Sequence, residues 1–484
     1  MKWIYVIAIL SAVVMLFGCE FLKNKQILYN PNKQILYNRC FGGQSKDIGV
    51  SIAQALDGTI VIVGYTHSND GDLKLKSTKD ADLWILKIDP SKPKKDQVIY
   101  NRCFGGSAYD SGQALALSDD GTIVVTGYTY STDGDLKNRN FENNVEATAD
   151  IWLLKIDPSK PYDEQIVYNR CFGGADFDFG RAIASAKDGT ILVLGNTMPE
   201  DIADSSKDGD SDLVILKIDP SKSEDEQILY HRRLGGTGFD IGRAIIEAEN
   251  ETILVVGYTN SNDGTLQNIR KGNKKNDLWV LKIDPSKSEK DQVIYNRCFG
   301  GSGDDIGNSA VLVDDGTILI TGVTTSNDGD LIGKRKGAEE GDLWIVKIDP
   351  SKPESEQIVY NHCLGGSNVD FGRSIALAKD RTIFVMANTN STDGDITSNH
   401  GDFDLWILKL DLSKPEEDSV VYKHCFGGTR ADIGRSMIEA NDGNIFITGD
   451  TFSSDGDVSG NHGNSDLWVL KIDPSDRAYR LYGF

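Results

Sequence analysis

Positive charge is in short supply in this chain: 51 Lys and Arg face 73 Asp and Glu, a formal net charge of −22. A surface of that sign repels phosphate backbones and anionic bilayers over most of its area, so nucleic acid is set aside as a partner. Proline is equally sparse, 12 residues against 50 glycines in a chain of 39% hydrophobic content. That balance suits a soluble globular chain that turns often, and all-β is favoured over helical. Missing too are the short patterns that carry familiar chemistry. There is no nucleophile elbow, HExxH, phosphate loop, dinucleotide fingerprint or paired-cysteine zinc pattern. An enzyme is therefore the lesser expectation, and no organic cofactor is expected.

Long apolar runs are also wanting. The run from Trp3 to Phe17 follows Lys2 and is not extended beyond Glu20; it is long enough for a signal sequence and short for a spanning helix. It ends in Leu16-Phe17-Gly18-Cys19, which resembles a bacterial lipobox. The resemblance implies a signal peptide over residues 1–18 and a lipidated tether over residues 19–32, with Cys19 carrying the lipid. The body would then be held to the bilayer outside the cytoplasm, in the bacterial cell envelope.

What the chain has in quantity is repetition. Cys-Phe-Gly-Gly begins at Cys40, Cys103, Cys171, Cys298 and Cys425, and variants begin at Arg233 and Cys363, which makes seven copies. The intervals are 63, 68, 62, 65, 65 and 62 residues, regular enough for a closed or stacked array. Each unit reads as four short strands. The first is typified by Gly242-Arg243-Ala244-Ile245-Ile246-Glu247; Asp120-Gly121 then makes a hairpin turn into a second, Thr122 to Tyr128. A variable loop leads to a third strand such as Asp277 to Asp284, and Asp284-Pro285-Ser286-Lys287 breaks it. The fourth runs as Gln292 to Cys298, and Gly-Gly enters the next unit. A four-stranded sheet at fixed period is a propeller blade, and closing the ring protects its edges. The order of hairpin, Trp-bearing third strand, fourth strand and Gly-Gly resembles bacterial β-propeller repeat lipoproteins of the SBBP type and, more distantly, the kelch superfamily. The expectation is a monomeric, all-β, seven-bladed β-propeller over residues 33–484, with four antiparallel strands per blade.

Residues 34–41 have the pattern of a fourth strand with no unit before them, and the last unit lacks a fourth strand, so an N-terminal strand is expected to close the ring. Arg477 to Tyr482 competes for the slot, and Asn24 to Asn30 duplicates Asn32 to Asn38. Antiparallel order puts the variable loops and Gly-Gly connections on one face and the Asp-Gly and Asp-Pro-Ser turns on the other. The tether would then lie on the turn face, with the variable loops directed away from the membrane.

Candidate site residues follow from the repeat. An Asp stands after each Gly-Gly, at Asp47, Asp110, Asp178, Asp240, Asp305, Asp370 and Asp432, with Gly two residues on, and the next residue is Val50, Gln113, Arg181, Arg243, Asn308, Arg373 or Arg435. If the kelch-like order holds and the first strand is innermost, these ring the channel mouth. Arg181, Arg243, Arg373 and Arg435, with Asp178, Asp240, Asp370 and Asp432 beside them, can then clamp an anionic or carbonyl-bearing ligand, the arginines by forked hydrogen bonds; the competing expectation is that each Arg pairs with an Asp of its own or the next blade and ties the ring together. The third-strand aromatic, Trp84, Trp152, Trp279, Trp344, Trp406 and Trp468 with Val214 in its place in the third blade, is expected to fill the wedge between blades. The six body cysteines lie one per blade, too far apart for disulfides, and read as small buried hydrophobes.

Asp-Gly-Asp turns such as Asp70 and Asp72 hold oxygen enough to raise calcium, yet they lack the further ligands of a calcium loop, and Asx turns explain them. Loop cations at Lys74, Lys76, Lys79, Arg270, Lys271, Lys274, Lys275, Lys334, Arg335 and Lys336 are read either as local positive lobes for an acidic glycan or protein or as ordinary solvated loop residues, and His400 and His462 occupy matching places in adjacent blades. The expected function is a binding or scaffold module that engages protein or glycan through the variable-loop face. The alternatives are a glycan-active hydrolase or lyase at the channel mouth and a structural envelope spacer.

Overall fold

The second and third strands of a repeat are buried along almost their whole length: Ile60–Thr66 and Asp82–Ile88 each expose one partly buried position. A sheet apolar on both faces needs a cover on each side, and a ring of sheets supplies it. The computed structural model describes residues 34–73, 80–136, 148–198, 211–267, 269, 275–334 and 340–475; Cys19, most of the loop cations and Arg477 to Tyr482 lie outside them. Seven four-stranded antiparallel sheets are arranged as seven blades. Blade 1 comprises Asp47–Gln54, Ile60–Thr66, Asp82–Ile88 and Val98–Phe104, and blades 2 to 6 repeat that order.

Blade 7 takes its first three strands from Asp432–Glu439, Ile445–Thr451 and Asp466–Ile472, and its fourth from Ile35–Phe41 at the other end of the chain. The register sets Cys40 opposite Trp468 and Phe41 opposite Leu467, the same pairing as Cys103 with Trp84 and Phe104 with Leu83 in blade 1. The N-terminal strand thus closes the ring, as its pattern predicts. The core is divided accordingly, into seven apolar clusters that each bridge two blades. The cluster across the closure joins Phe41, Phe446 and Val469 of blade 7 to Ile62, Trp84 and Leu86 of blade 1.

Polar ties reinforce each junction. A fourth-strand tyrosine hydroxyl donates to the glutamine before the next blade's fourth strand: Tyr37 to Gln97 at 3.2 Å, Tyr100 to Gln165 at 3.0 Å, Tyr230 to Gln292 at 3.1 Å and Tyr295 to Gln357 at 2.8 Å. Tyr168 bonds Gln227, and Tyr360 meets Ser419 at 2.9 Å. Tyr422 completes the circuit by donating to Gln34 at 2.9 Å.

The tryptophans fill the wedges as expected, each no more than 3% exposed, and the indole N–H of five of them donates to a fourth-strand asparagine, as from Trp84 to Asn101 at 2.7 Å. Blade 3 changes the set together. Val214 replaces Trp, His231 stands where the indole's Asn acceptor would be, and Arg233, opposite Val214, replaces Cys. The Arg233 side chain turns outward to Asp212 at 2.5 Å. With the indole gone, neither its acceptor nor the small thiol beside it is required.

Six blades carry an ion pair from the end of the third strand to the first hairpin turn, such as Lys217 to Asp188 at 2.8 Å and Lys409 to Asp380 at 2.8 Å. Exposed pairs of this kind add little stability, but they fix both turns on one face. Gln34 enters there too, its carbonyl accepting from the Asp473 amide.

If Ile35–Phe41 is a full member of blade 7, Phe41→Ala will cost about 3 to 5 kcal/mol, the cost of emptying a buried aromatic site, and Phe104→Ala in blade 1 will match it in denaturant titrations. A loss under about 1 kcal/mol at Phe41 alone would place the closing strand elsewhere.

Candidate functional site

The first strands contact one another in sequence around the whole ring and are therefore innermost. Each carries a register shift after its glycine: Gly180 and Ala182 pair with consecutive partners and leave Arg181 between them, and the same break falls at Arg243, Arg373 and Arg435. Val50, Gln113 and Asn308 hold the equivalent places. A bulge re-aims the extra residue, here towards the axis. The guanidinium groups feel each other accordingly. Burial, then repulsion from Arg243, lowers Arg181, and burial followed by Arg435 and Arg243 pushes Arg373 down to about 10.

The seven aspartates sit beside this ring but do not join it. All are buried, at the start of their first strands. In blade 1 Asp47 accepts from the Gly43 amide at 2.8 Å, from the Ser68 hydroxyl at 2.7 Å and from Thr66; Asp370 and Asp432 repeat the glycine and serine bonds. Asp178 accepts from Gly174 at 3.1 Å, and Asp240 from Gly236 at 2.8 Å and Ser261 at 2.6 Å. The Asp therefore pins the Gly-Gly connection to the end of the second strand, and the pairing of arginine with the aspartate of this ring does not occur. Arg435 instead holds Asp450 at 2.6 Å, and Arg181 donates to Asn196 at 2.9 Å. Among the described residues no carboxylate lies within ion-pairing distance of Arg181, Arg243 or Arg373. The Nε atoms of Arg243 and Arg373 are buried without a hydrogen-bond partner, and their guanidinium groups lie 5.5 Å over Tyr258 and 4.9 Å over Phe371.

Sequence inspection did not single out the other half of the mouth. Tyr65, Tyr109, Tyr128 and Phe179 follow one another at ring-centre steps of 5.7, 5.9 and 4.9 Å, with His67, Tyr130 and Phe177 packed beside them. All are half-buried and belong to blades 1 to 3. Tyr109 and Phe177 immediately precede Asp110 and Asp178, and Tyr130 follows Thr129, which puts the arc at the Gly-Gly end of the strands. Arg181 stacks on its last ring at 5.1 Å. The available signal was the run of aromatic residues at the ends of the first and second strands in adjacent blades, Tyr65 and His67, then Tyr109, Tyr128 and Tyr130, then Phe177 and Phe179.

The remaining candidates are structural in geometry. Asp70 accepts from the Gln44 amide at 2.9 Å and Asp72 from Gly42 at 3.2 Å, latching the connection, while Leu73 plugs the core. No group of three or more His, Cys, Asp or Glu among the described residues is arranged to hold a metal. His400 and His462 each bind an aspartate of their own blade, Asp404 at 2.8 Å and Asp466 at 2.5 Å. Lys275 and Lys334 pair with Asp304 at 2.9 Å and Glu416 at 2.7 Å. Burial pushes the Cys425 thiol up to about 12. A cleft on the turn face, lined by Leu254, Tyr295, Leu312 and Ile318, gathers no comparable set of convergent cations.

No family model matches the chain. It is 22% identical over 364 residues to the regulatory protein FlaEY of Caulobacter vibrioides, a match that covers 72% of this chain and 36% of that one; the chain thus spans about a third of that relative's length. Among solved structures it is similar to polysaccharide lyase Uly1, with a TM-score of 0.46 and 10% identity over 90% of this chain and 92% of that one. A protein of unknown function from Dyadobacter fermentans gives a TM-score of 0.40 and 11% identity over 91% and 99%. No function is taken from these likenesses.

The buried carboxyls make stability depend on pH. Burial raises Asp178, Asp305, Asp370, Asp432 and Asp466 to about 6, and Asp240 in the same direction, against the pull of the donors around them. Unfolded aspartates titrate near about 3.9, so between these values the folded chain binds more protons and stability falls as pH rises. His400, raised chiefly by its bond to Asp404, acts in the same sense. His424, pushed down to about 4 by burial, opposes them. The unfolding midpoint will be higher at pH 5 than at pH 7.5, and Asp432→Asn will narrow the gap; a midpoint that rises with pH over this range contradicts the assignment.

Proposed function

We propose that the chain is a non-catalytic binding or scaffold module of the bacterial cell envelope, which seats a protein or glycan ligand on its variable-loop face and anchors it at the arginine-lined mouth of the channel. The observation that carries this reading is the pair Arg243 and Arg373, half-buried cations with Nε unsatisfied and no carboxylate partner among the described residues. A desolvated charge is costly unless an opposite charge meets it, so the mouth is built to receive an anion or a carbonyl oxygen. Its setting on a chain of net charge −22 makes it a local positive focus.

A non-catalytic role is favoured because the carboxyls nearest the mouth are already engaged. Asp450 holds Arg435, and Asp178, Asp240, Asp370 and Asp432 are buried at the strand starts, each accepting from the amide of a Gly-Gly connection, with one oxygen of Asp240 and of Asp370 left without a partner. Hydrolysis of a glycan needs two free carboxyls flanking the bond. The lipobox-like Leu16 to Cys19 supports anchoring through lipid on Cys19, and the entry of Gln34 on the turn face turns the mouth away from the bilayer, on a tether whose residues 20–32 reach at most about 45 Å. No described helix is long and apolar enough to cross a membrane.

If Arg243 and Arg373 are kept for a ligand, the ligand-free protein carries them at a cost. Replacing both with Met will raise the unfolding free energy in denaturant titrations by about 1 kcal/mol. A clear fall would show that they brace the ring and would remove the basis of this reading.

A further inference from the structure

The two halves of the mouth differ in chemistry, and the difference specifies a ligand. Blades 4 and 6 present Arg243 and Arg373, with Asn308 of blade 5 between them held to the Gly372 carbonyl at 2.8 Å. Blades 1 to 3 present the arc Tyr65, Tyr109, Tyr128 and Phe179. Its members are not sealed in the core, and Tyr109 and Tyr128 lie nearly parallel, 9° apart at 5.9 Å. Arginines flank both ends: Arg181 stacks on Phe179, and Arg435 lies within electrostatic reach of Tyr65 and Tyr109.

Resting on the anion-anchoring reading above, we propose that the ligand is an acidic glycan, a short uronate-containing chain or chain end whose carboxylate is taken by Arg243 and Arg373 while neighbouring sugar rings lie on the Tyr65–Tyr109–Tyr128 arc. Forked guanidinium donors match a carboxylate in two places. Half-buried tyrosines offer flat apolar area together with a hydroxyl for sugar oxygens, at low entropic cost. A flexible acidic peptide would use the arginines but has no rigid ring for the arc. The excess of acidic residues over the rest of the surface disfavours a long polyanion lying across it, so a short chain or an end fits best. No covalent step is involved.

The test is calorimetric titration of the full chain with tetrameric oligomers of galacturonate, glucuronate and mannuronate, their methyl esters, a tetraglutamate peptide and sulfate. At least one uronate oligomer will bind, its methyl ester at least tenfold more weakly. Arg243→Met with Arg373→Met will weaken it at least tenfold, and Tyr109→Ala several-fold; Arg243→Lys with Arg373→Lys, which keeps the charge and removes the fork, provides a second variant should the Met pair fail to fold. Tetraglutamate binding as tightly as every uronate overturns the glycan assignment in favour of an acidic peptide and leaves the anion anchor standing. Sulfate binding without any uronate overturns the glycan assignment and leaves only the anion anchor standing. Failure of uronates, peptide and sulfate alike overturns both readings, and uronate binding indifferent to the arginine and tyrosine variants overturns this site.

Discussion

Burial of both faces of every sheet is the constraint on which this structure depends. Strands such as Ile253–Thr259 and Asp277–Ile283 are buried almost throughout, so no blade is stable with a bare flank. Seven apolar clusters for seven junctions, the last of them spanning the chain's described ends, satisfy that demand with nothing left open. The closing strand therefore counts for as much as any covalently continuous one, and Gln34, Asn38, Cys40 and Phe41 repeat the roles of Gln97, Asn101, Cys103 and Phe104.

Ring closure has a functional consequence. It commits seven first strands to the axis, and the bulge after each glycine delivers one side chain per blade to the channel. The Asp at each strand start holds the Gly-Gly connection in the same shape whatever residue the bulge carries. Framework and recognition are thus separated at the level of single residues: Asp240 holds Gly236 and Ser261 through one carboxylate oxygen, while Arg243, three residues on, has no carboxylate partner among the described residues and keeps its Nε unsatisfied. The same separation explains why blade-specific residues at the mouth can differ without disturbing the blades.

Much of the fold was legible in the sequence because its signals are local and repeated. Gly-Gly, Asp-Gly and Asp-Pro-Ser recur at fixed offsets, and residues 34–41 carry a fourth-strand pattern with no unit before them. The site was only half legible. Position in the repeat identified Arg181, Arg243, Arg373 and Arg435, but the expectation that each pairs with an Asp of its own or the next blade holds only for Arg435, which meets Asp450 of its own blade; the bulge turns the arginines to the axis while the Asp at each strand start faces Thr and Ser at the end of the second strand. The arc was not legible. Tyr65 ends one second strand, Tyr109 precedes the next first strand and Phe179 belongs to a third blade, and only the closed ring sets them edge to edge.

The central claim is that a closed ring of seven sheets holds uncompensated arginines where an anion can reach them. Anomalous diffraction from crystals of the protein grown with selenate tests it most directly. The account predicts a selenium peak between the guanidinium groups of Arg243 and Arg373 inside the mouth. A channel without such a peak, with each of those arginines bonded to a protein carboxylate, would contradict it.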